Sequence, residues 1–411
     1  MAYSYSIETS KKDNKSTIGL SACHLLFSVI NLFLSTFLIA HIYTLTNDLY
    51  SYVFNVGIYQ LSAYICMFVS YFIFSFWVDK SNRIWVYRVA NIIEAVLVIV
   101  TIFYGKDLAK IVVLAGVLSG LAHGAYYASY NVLKQEMVSR KSMDNFAVVL
   151  TVLGKVVNVV CPILLGMLID VSTYTTVAIY VLVLSVIQIV VSFFIKSKRP
   201  ENSDFNLKKY FKNLKKDTKI NRKIKFIYKI CIIYGFTSVV SILLNVNIMM
   251  QFGSSFSLGS ITSVFACLTI VVLLLFKKFT KAGKRSVLFI VVGMLPFVSA
   301  IIFAIVPHVA TLIIYHLCLS ICEVMTTTTF DIIRNKNLKE NGMYSDIAEH
   351  QCVVESIFQI IRIISFVLLI AVGLIKNLIV FRVFFVVVVL AHLFMALMIM
   401  IYEKKDRDDK F

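Results

Sequence analysis

The chain has 411 residues, of which 59% are hydrophobic and only 15% are charged, and its mean hydropathy is +0.86. A soluble globular protein of this length does not carry so much apolar sequence, so the composition excludes the soluble classes of protein. The formal charge of +18 would favour nucleic-acid binding in a soluble chain. Here the basic residues lie mostly in the loops and tails between apolar blocks, where they indicate which side of a membrane each loop occupies. No nucleic-acid partner is therefore expected.

The apolar residues form twelve blocks, each long enough for a helix to cross a hydrocarbon layer roughly 30 Å thick. Each block must be helical because lipid offers no partner to its backbone hydrogen-bonding groups. The predicted spans, in chain order, are 17–45, 51–77, 84–104, 108–134, 146–170, 174–196, 226–250, 255–276, 286–306, 308–334, 349–375 and 377–402.

The distribution of basic residues predicts the orientation of the spans. All but six of the 40 Lys and Arg residues lie in the tails or around the loops that follow even-numbered spans. The four on the opposite side are Lys106, Lys110, Lys376 and Arg382, and the two inside spans are Lys155 and Arg362. Because Lys and Arg concentrate in cytoplasmic loops, both termini are predicted to lie in the cytoplasm, and a bacterial cell membrane is expected.

A strongly basic segment separates span six from span seven. Residues 196–229 contain thirteen Lys and Arg residues against three acidic ones. The predicted divisions are an N-terminal tail at 1–16, a six-helix bundle at 17–196, a basic cytoplasmic linker at 197–225, a second six-helix bundle at 226–402 and a C-terminal tail at 403–411. The linker is expected to lie against anionic lipid headgroups, to which each nearby Lys or Arg contributes about 1 kcal/mol.

Internal similarity relates the two halves of the chain. The string 123–135 in span four lies opposite 323–335 in span ten, and the loop 79–83 lies opposite 280–284. The corresponding triplets of spans five and eleven, each spaced i, i+4, i+7 along one helix face, are Thr151, Lys155 and Asn158, and Glu355, Gln359 and Arg362. The offsets of 200, 201 and 204 residues are nearly equal, which indicates duplication of a six-span unit.

The loops after spans two and eight carry related charged motifs. The first, at 75–84, has the acidic Asp79 and two basic residues, and the second has Gly283 and a basic pair ending at Arg285. With twelve spans in two parallel halves and a basic central loop, the chain resembles the major facilitator superfamily. That family's signature in both loops is roughly G-x-x-x-D-R-x-G-R-R, and the segment 158–166 of span five is similar to its glycine–proline antiporter motif.

The resemblance implies an all-α polytopic membrane protein, with twelve transmembrane helices in two pseudo-symmetric six-helix bundles. It also implies alternating access, in which the bundles rock about a central site without a bound cofactor. In this family spans three, six, nine and twelve face lipid, and the other spans line the central cavity. Gly120 stands where drug/proton antiporters of the family carry an arginine, which disfavours that activity.

Ionisable residues lie within the spans that would line the cavity. A charge at the bilayer centre costs at least about 2.5–3.5 kcal/mol, so such residues usually face protein or water. His123 and Glu323 lie near mid-membrane at equivalent places, and each can take and release a proton, so each is a candidate coupling site. The alternative is structural, with His123 as a hydrogen-bonded packing residue and Glu323 in an ion pair with Arg362.

Other polar side chains extend the candidate site. The residues predicted to bind the substrate or a coupling ion are His123, Tyr127, Lys155, Asn158, Glu323, Thr327, Glu355, Gln359, Arg362, Asn31 and Asn245. The residues predicted to form a gate network, or else to be solvated helix ends, are Asp79, Arg83, Asn131, Lys134, Asp331 and Arg334. Lys155 and Arg362 favour an anionic or amphipathic solute, unless neighbouring carboxylates neutralise them. Those carboxylates belong to Glu94, Glu323 and Glu355.

Two of the spans that would face lipid depart from an apolar composition. Span three contains Asn91 and Glu94, and span twelve contains His392. A charged or polar side chain facing hydrocarbon would be costly, so these three positions are exceptions to the lipid-facing pattern.

Catalytic and cofactor motifs are missing from the sequence. It has no nucleotide-binding loop, no His-Glu-x-x-His pattern and no serine-centred elbow, so no enzyme activity, cofactor or metal is predicted. The predicted function is transport of a small organic solute, with proton coupling as an open option. The alternatives are a membrane-embedded transferase acting on a lipid or lipid-linked substrate, with His123 or Glu323 as general base, and a transport-inactive sensor. The expected partners are the solute, protons and anionic headgroups, and the expected state is a monomer.

Overall fold

The computed structural model of the protein describes residues 12–46, 48–80, 83–137, 143–196, 205–279, 285–340 and 347–408. The α-helices in these ranges are α1 (Lys12–Leu32), α2 (Leu38–Thr44), α3 (Leu49–Lys80), α4 (Arg83–Phe103), α5 (Val112–Met137), α6 (Met143–Val171), α7 (Tyr174–Ser192), α8 (Leu207–Lys216), α9 (Thr218–Phe252), α10 (Ser255–Phe279), α11 (Arg285–Ile305), α12 (Val309–Glu340), α13 (Ile347–Ile375) and α14 (Leu378–Arg407). A π-helical turn, Phe33–Phe37, joins α1 to α2.

Twelve of the described helical segments are long and apolar enough to cross a membrane. Predicted span one corresponds to α1, the π-helical turn and α2, spans two to six correspond to α3–α7, and spans seven to twelve correspond to α9–α14. The predicted all-α fold with twelve spans is thereby confirmed. Since the number of crossings is even, residues 12 and 408 lie on the same side of the bundle, which we name the tail side. The opposite side is named the far side.

Apolar side chains cover the outside of the bundle. Val183 and Val190 of α7 are exposed, as are Val291, Val298 and Ile302 of α11. In a membrane these faces contact hydrocarbon, where an exposed apolar side chain carries no penalty. The outer faces of α7 and α11 therefore agree with the expectation that spans six and nine face lipid.

The helices pack as two bundles with corresponding contacts. In the N-terminal bundle α7 packs against α1 and α4, and α5 packs against α3 and α4. In the C-terminal bundle α14 packs against α9 and α11, and α12 packs against α10 and α11. The bundles meet where α3 packs against α13 and where α6 packs against α10. When α3 is matched with α10 and α6 with α13, the α3–α13 contact corresponds to the α10–α6 contact. The duplication predicted from sequence therefore appears in the structure as pseudo-symmetry.

The hydrophobic core is shared by both bundles on the far side and divided on the tail side. One far-side cluster joins Phe37 of the N-terminal half with Leu243, Phe366 and Phe385 of the C-terminal half. On the tail side, one cluster draws only on residues before 196, and another draws only on residues after 226. Burial of apolar surface therefore holds the halves together on the far side and leaves them more separable on the tail side.

Close backbone packing seals the far side between α6 and α10. A Cβ atom on Gly166 would lie 2.5 Å from the Ser255 carbonyl oxygen, and one on Gly259 would lie 2.1 Å from the Pro162 carbonyl oxygen. Only glycine permits backbones to approach so closely. The Asp170 carboxylate also accepts a hydrogen bond from the Ser255 N–H at 3.2 Å, so a residue of one half caps a helix of the other.

The contact between α3 and α13 extends from the far side to the tail side. Near the far side, a Cβ atom on Gly57 would lie 2.6 Å from Ile370 Cγ1. Near the tail side, Tyr71 of α3 and Ala128 of α5 form a small buried cluster with Cys352 of α13. The halves thus keep contact along this seam, and the glycine contacts and the Asp170 cap hold α6 against α10 at the far side.

A short linker helix, α8, docks on the tail side of the C-terminal half. Tyr210 is buried, and its hydroxyl lies 2.7 Å from the Tyr228 hydroxyl and 3.0 Å from His350 Nδ1. The Asn206 N–H donates to Glu349 Oε1 at 3.0 Å. The exposed lysines of α8 are Lys208, Lys209, Lys212, Lys215 and Lys216. The linker therefore presents its basic residues outward and uses its apolar face for docking.

Helix α9 begins at Thr218, eight residues before the predicted start of span seven at 226. The Asp217 carboxylate caps its first turn, accepting hydrogen bonds from the N–H groups of Lys219 and Ile220. The hydropathy pattern marks only the part of a helix that lies in hydrocarbon. The remainder of the linker at 197–204 and the loop-motif positions 81–82 and 280–284 lie outside the described residues.

Candidate substrate and coupling site

Two cavities lie between mid-membrane and the tail side, next to the divided core. The first, of about 330 Å³, is lined by His24, Ser28, Tyr130, Lys134, Leu150, Gly154, Lys155 and Asn158. The second, of about 290 Å³, is lined by Lys155, Tyr234, Thr237, Ser238, Ser241, Thr269, Glu323, Val324, Thr326, Thr327, His392 and Met395. The side chain of Lys155 borders both cavities, and residues of both bundles line the second.

Glu323 of α12 projects into the second cavity. His392 Nε2 of α14 lies 3.4 Å from Glu323 Oε1, and the Ser241 hydroxyl of α9 donates to the same oxygen at 3.4 Å. The His392 side chain is 1% exposed, whereas the Glu323 side chain is 36% exposed. The imidazole is therefore fixed by packing, and the carboxyl group faces the cavity.

Lys155 of α6 is a cation that faces Glu323 from the other half. It is half-buried, lines the same cavity as Glu323 and lies within its electrostatic range. Asn158 lies one helical turn further along α6 and lines the first cavity with Lys155. The Lys155 ammonium group and the Glu323 carboxylate, when both are charged, attract each other across the second cavity.

Arg362 of α13 belongs to a second polar group. Its Nε donates to the Ser238 hydroxyl at 2.9 Å, and its Nη1 donates to Gln359 Oε1 at 3.5 Å. Gln359 Nε2 donates in turn to Glu355 Oε2 at 3.4 Å, so the predicted triplet does lie on one helix face. The guanidinium carbon lies 5.2 Å from the ring centroid of Tyr64 on α3, which brings a cation–π contact from the N-terminal half.

Glu323 and Arg362 have separate partners among the described side chains, so the ion pair considered as the structural alternative is not formed. Sequence reasoning missed the actual partners, which are His392 for the carboxylate and the serines of α9 for both charges. A signal was present in the sequence. Ser238 and Ser241 lie three residues apart on one face of span seven, and His392 is an ionisable residue in an otherwise apolar span.

His123 of α5 has a hydrogen-bonding partner at each ring nitrogen. Nδ1 lies 2.7 Å from the Ser119 carbonyl oxygen, and Nε2 lies 2.8 Å from Asn31 Oδ1. The Tyr127 ring stacks on the imidazole at a centroid distance of 6.2 Å. The Asn31 amide can turn either its oxygen or its nitrogen toward Nε2, so the pair accommodates both imidazole and imidazolium. This geometry suits a packing role and a proton-binding role alike.

The rings of His24 and Tyr130 line the first cavity, and further aromatic rings pack behind them. The Tyr126 hydroxyl lies 2.8 Å from His24 Nδ1, and the Tyr130 ring stacks on His24 at a centroid distance of 4.4 Å. Phe27 stacks on Tyr126 at 3.5 Å. Such rings offer apolar faces together with polar edges, which suits an amphipathic ligand.

The predicted gate residues lie near the tail side. Arg334 Nη2 lies 3.3 Å from Asp331 Oδ1 on α12, and Lys134 of α5 lies within the electrostatic range of both. Arg83 and Asn131 are half-buried at the same end of the bundle. The structure therefore brings Lys134 of one half near the charged pair of the other.

Four predicted residues contribute less to the described geometry. Thr327 lines the second cavity, and its hydroxyl donates to the Glu323 carbonyl oxygen at 2.6 Å, so α12 continues through the threonine run. Asn245 of α9 is half-buried and lines neither of the two cavities. The side chain of Asp79 lies outside the described part of the structure, as does that of Thr151.

Comparison with known proteins gives one family match and one curated relative. The model of the Major Facilitator Superfamily matches residues 17–348. The curated relative is the uncharacterized protein YqgE of Bacillus subtilis (strain 168), which is 26% identical over 161 residues. That alignment covers 38% of this chain and 37% of the relative, so the match spans well under half of either protein.

Several solved structures share the fold. The human organic anion transporter MFSD10 (TETRAN) is 11% identical with a TM-score of 0.63, covering 93% of this chain and 99% of that one. A POT family transporter in complex with 5-aminolevulinic acid is 12% identical with a TM-score of 0.70, covering 95% and 96%. A bacterial homologue of the iron transporter ferroportin, in an inward-facing state, is 12% identical with a TM-score of 0.66, covering 96% and 99%.

Identities this low show the fold alone, but the family model covers most of the chain. The two six-helix bundles and their shared cavity agree with that match. The chain therefore belongs to the major facilitator superfamily.

Proposed function

We propose that this protein moves a small organic solute across a bacterial cell membrane by alternating access, with both termini in the cytoplasm. Membership in the family supports membrane transport as the general activity. The observation that carries the proposal is that Lys155 of one half and Glu323 of the other line one cavity beside the divided core. A ligand or proton bound there acts on both bundles, and so shifts the balance between their arrangements.

Glu323 is the coupling-proton site in this proposal. The ionised carboxylate attracts Lys155 across the cavity and favours the arrangement in which the two bundles approach there. Protonation removes that attraction and lets the halves separate at this point. His392, 3.4 Å from the carboxylate, is positioned to share the proton with it. Proton loading on one side of the membrane and release on the other would then accompany each cycle.

The proposed solute is an organic anion with an apolar portion. Lys134 and Lys155 line the first cavity with no acidic residue among its described lining side chains, and the Tyr130 ring gives that cavity an apolar face. One solved structure with this fold is an organic anion transporter, and another holds 5-aminolevulinic acid. Those ligands belong to the other proteins; the charge and the rings of this chain are what favour a similar chemical class.

A two-step experiment tests the proposal. A panel of organic carboxylates, including 5-aminolevulinic acid, is first screened for thermal stabilisation of the purified protein, because a ligand that binds only the folded state raises its stability. A hit is then added to proteoliposomes with an imposed pH gradient. We expect solute-dependent proton flux that is lost in Glu323→Gln, which mimics the protonated acid. Asp107→Asn, in an exposed loop, is the matched control and should retain the flux.

The outcomes separate transport from coupling. Unchanged proton flux in Glu323→Gln would remove Glu323 from the mechanism while leaving transport in place. Solute uptake that proceeds without proton flux would reject coupling. Stabilising ligands that are never moved across the bilayer would instead favour a sensor, and chemical conversion of a ligand would favour a transferase.

The linker is assigned to the membrane surface in the same proposal. The outward lysines of α8 lie on the tail side, where a cytoplasmic leaflet would present anionic headgroups. The apolar face of α8 docks on the protein through Tyr210, so the helix does not depend on insertion into lipid. The charged face remains available to headgroups.

A further inference from the structure

A buried polar cluster lies between α4 and α7, away from both cavities. Glu94 is 1% exposed, and Asn91 and Gln188 are 0% exposed. The Gln188 amide nitrogen donates to Asn91 Oδ1 at 3.2 Å, which ties α7 to α4. The polar residues of span three that depart from the apolar pattern thus face the interior of the N-terminal bundle instead of lipid.

The polar atoms of this cluster outnumber its hydrogen bonds. Both carboxyl oxygens of Glu94, Oε1 of Gln188 and Nδ2 of Asn91 have no partner among the described atoms. Burying an ionised carboxylate in such surroundings would cost a large desolvation free energy. Burying a neutral carboxylic acid costs much less, and the acid can donate its own proton in a hydrogen bond. Arg88, a cation on the same helix, donates instead to the Ser192 carbonyl oxygen at 3.4 Å.

The titratable groups that face Glu94 carry no positive charge. Among the described residues, Tyr87 of the same helix and Tyr127 of α5 lie within the electrostatic range of Glu94, and α7 contributes the Gln188 amide. Cys23 Sγ donates to the Gln188 carbonyl oxygen at 3.5 Å, and the Tyr87 hydroxyl lacks a geometric partner. A proton is therefore the species that best satisfies the carboxylate.

We propose that Glu94 is a second proton-binding site of the protein, buried within the N-terminal bundle between α4 and α7. The site is separate from Glu323, and it does not depend on which solute is transported. It explains why a titratable side chain occupies a helix whose outer face is apolar.

Infrared spectroscopy of the purified protein in nanodiscs tests the site. At neutral pH the wild type should show a carboxylic-acid C=O band that is lost in Glu94→Gln. The thermal midpoint of Glu94→Gln should match that of the wild type, because a neutral amide replaces a neutral acid of the same shape. A spectrum in which Glu94→Gln loses only a carboxylate band would overturn the proposal. A Glu94 acid band that appears only after sodium ions are removed would also overturn it, in favour of a cation site.

Discussion

Gly166 and Gly154 lie on the same helix, α6, in opposite surroundings. A Cβ atom on Gly166 would collide with the backbone of α10, 2.5 Å from the Ser255 carbonyl oxygen, whereas a Cβ atom on Gly154 would meet nothing within 4 Å. We therefore expect Gly166→Ala to lower the free energy of unfolding by about 1–3 kcal/mol, through overpacking. Gly154→Ala should raise it by up to about 1 kcal/mol, through helix propensity. Thermal unfolding in one detergent compares the two variants, and equal shifts would refute the far-side packing.

For single residues, the sequence predicts which side chains belong to the candidate site better than it predicts which side chains contact each other. A buried charge is visible in a span because its cost in lipid makes it rare, so Lys155, Glu323 and Arg362 could be identified from composition alone. Their partners depend on how each helix is rotated and tilted against its neighbours. The sequence favoured neither His392 nor a serine as the neighbour of Glu323, since those contacts cross from one helix to another.

Among the elements, the linker helix α8 offers a test of lipid binding. Its exposed lysines are Lys208, Lys209, Lys212, Lys215 and Lys216. In nanodiscs, anionic lipid should raise the thermal midpoint of the wild type above its value in zwitterionic lipid, because each charge near the surface contributes about 1 kcal/mol. Replacing the five lysines by glutamine should abolish the difference, whereas replacing them by arginine should retain it. An undiminished difference in the glutamine variant would assign the lipid effect to another surface.

The twelve spans could be predicted closely because lipid sets the length and composition of a crossing helix. Helix α8 could not be predicted in the same way. Its apolar positions, including Tyr210 and Leu214, recur at helical spacing within a segment dominated by lysine, and only docking on α9 and α13 makes them core residues. The hydropathy pattern did not predict the early start of α9 for a related reason. It detects only the part of a helix that lies in the membrane.

For the whole molecule, the proposed orientation can be measured by labelling. In a variant without its eight native cysteines, Asp107→Cys lies in the far-side turn before α5, and Lys212→Cys lies on α8 at the tail side. A membrane-impermeant maleimide should label Asp107→Cys in intact cells, and should label Lys212→Cys only after permeabilisation. The two sites control for each other, and the reverse pattern would place the termini outside.

The proposed alternating access requires the far side to open, and the structure identifies the contacts that must then break. The cap that Asp170 provides to α10 and the glycine contacts of Gly166 and Gly259 are confined to that end of the seam. The pair of Lys155 and Glu323 lies nearer the middle, where it can persist while the far side parts. Under the proposed function, the charge state of Glu323 then biases which end is closed.

The far-side core contains residues of both bundles. The N-terminal half is therefore synthesised before the C-terminal residues that complete its packing. Phe37 emerges from the ribosome long before Phe366 and Phe385, with which it shares that core. Membrane hydrocarbon must cover its apolar surface in the interval. Since these contacts join residues more than 300 positions apart, we expect the two inserted bundles to associate late in the maturation of the nascent protein.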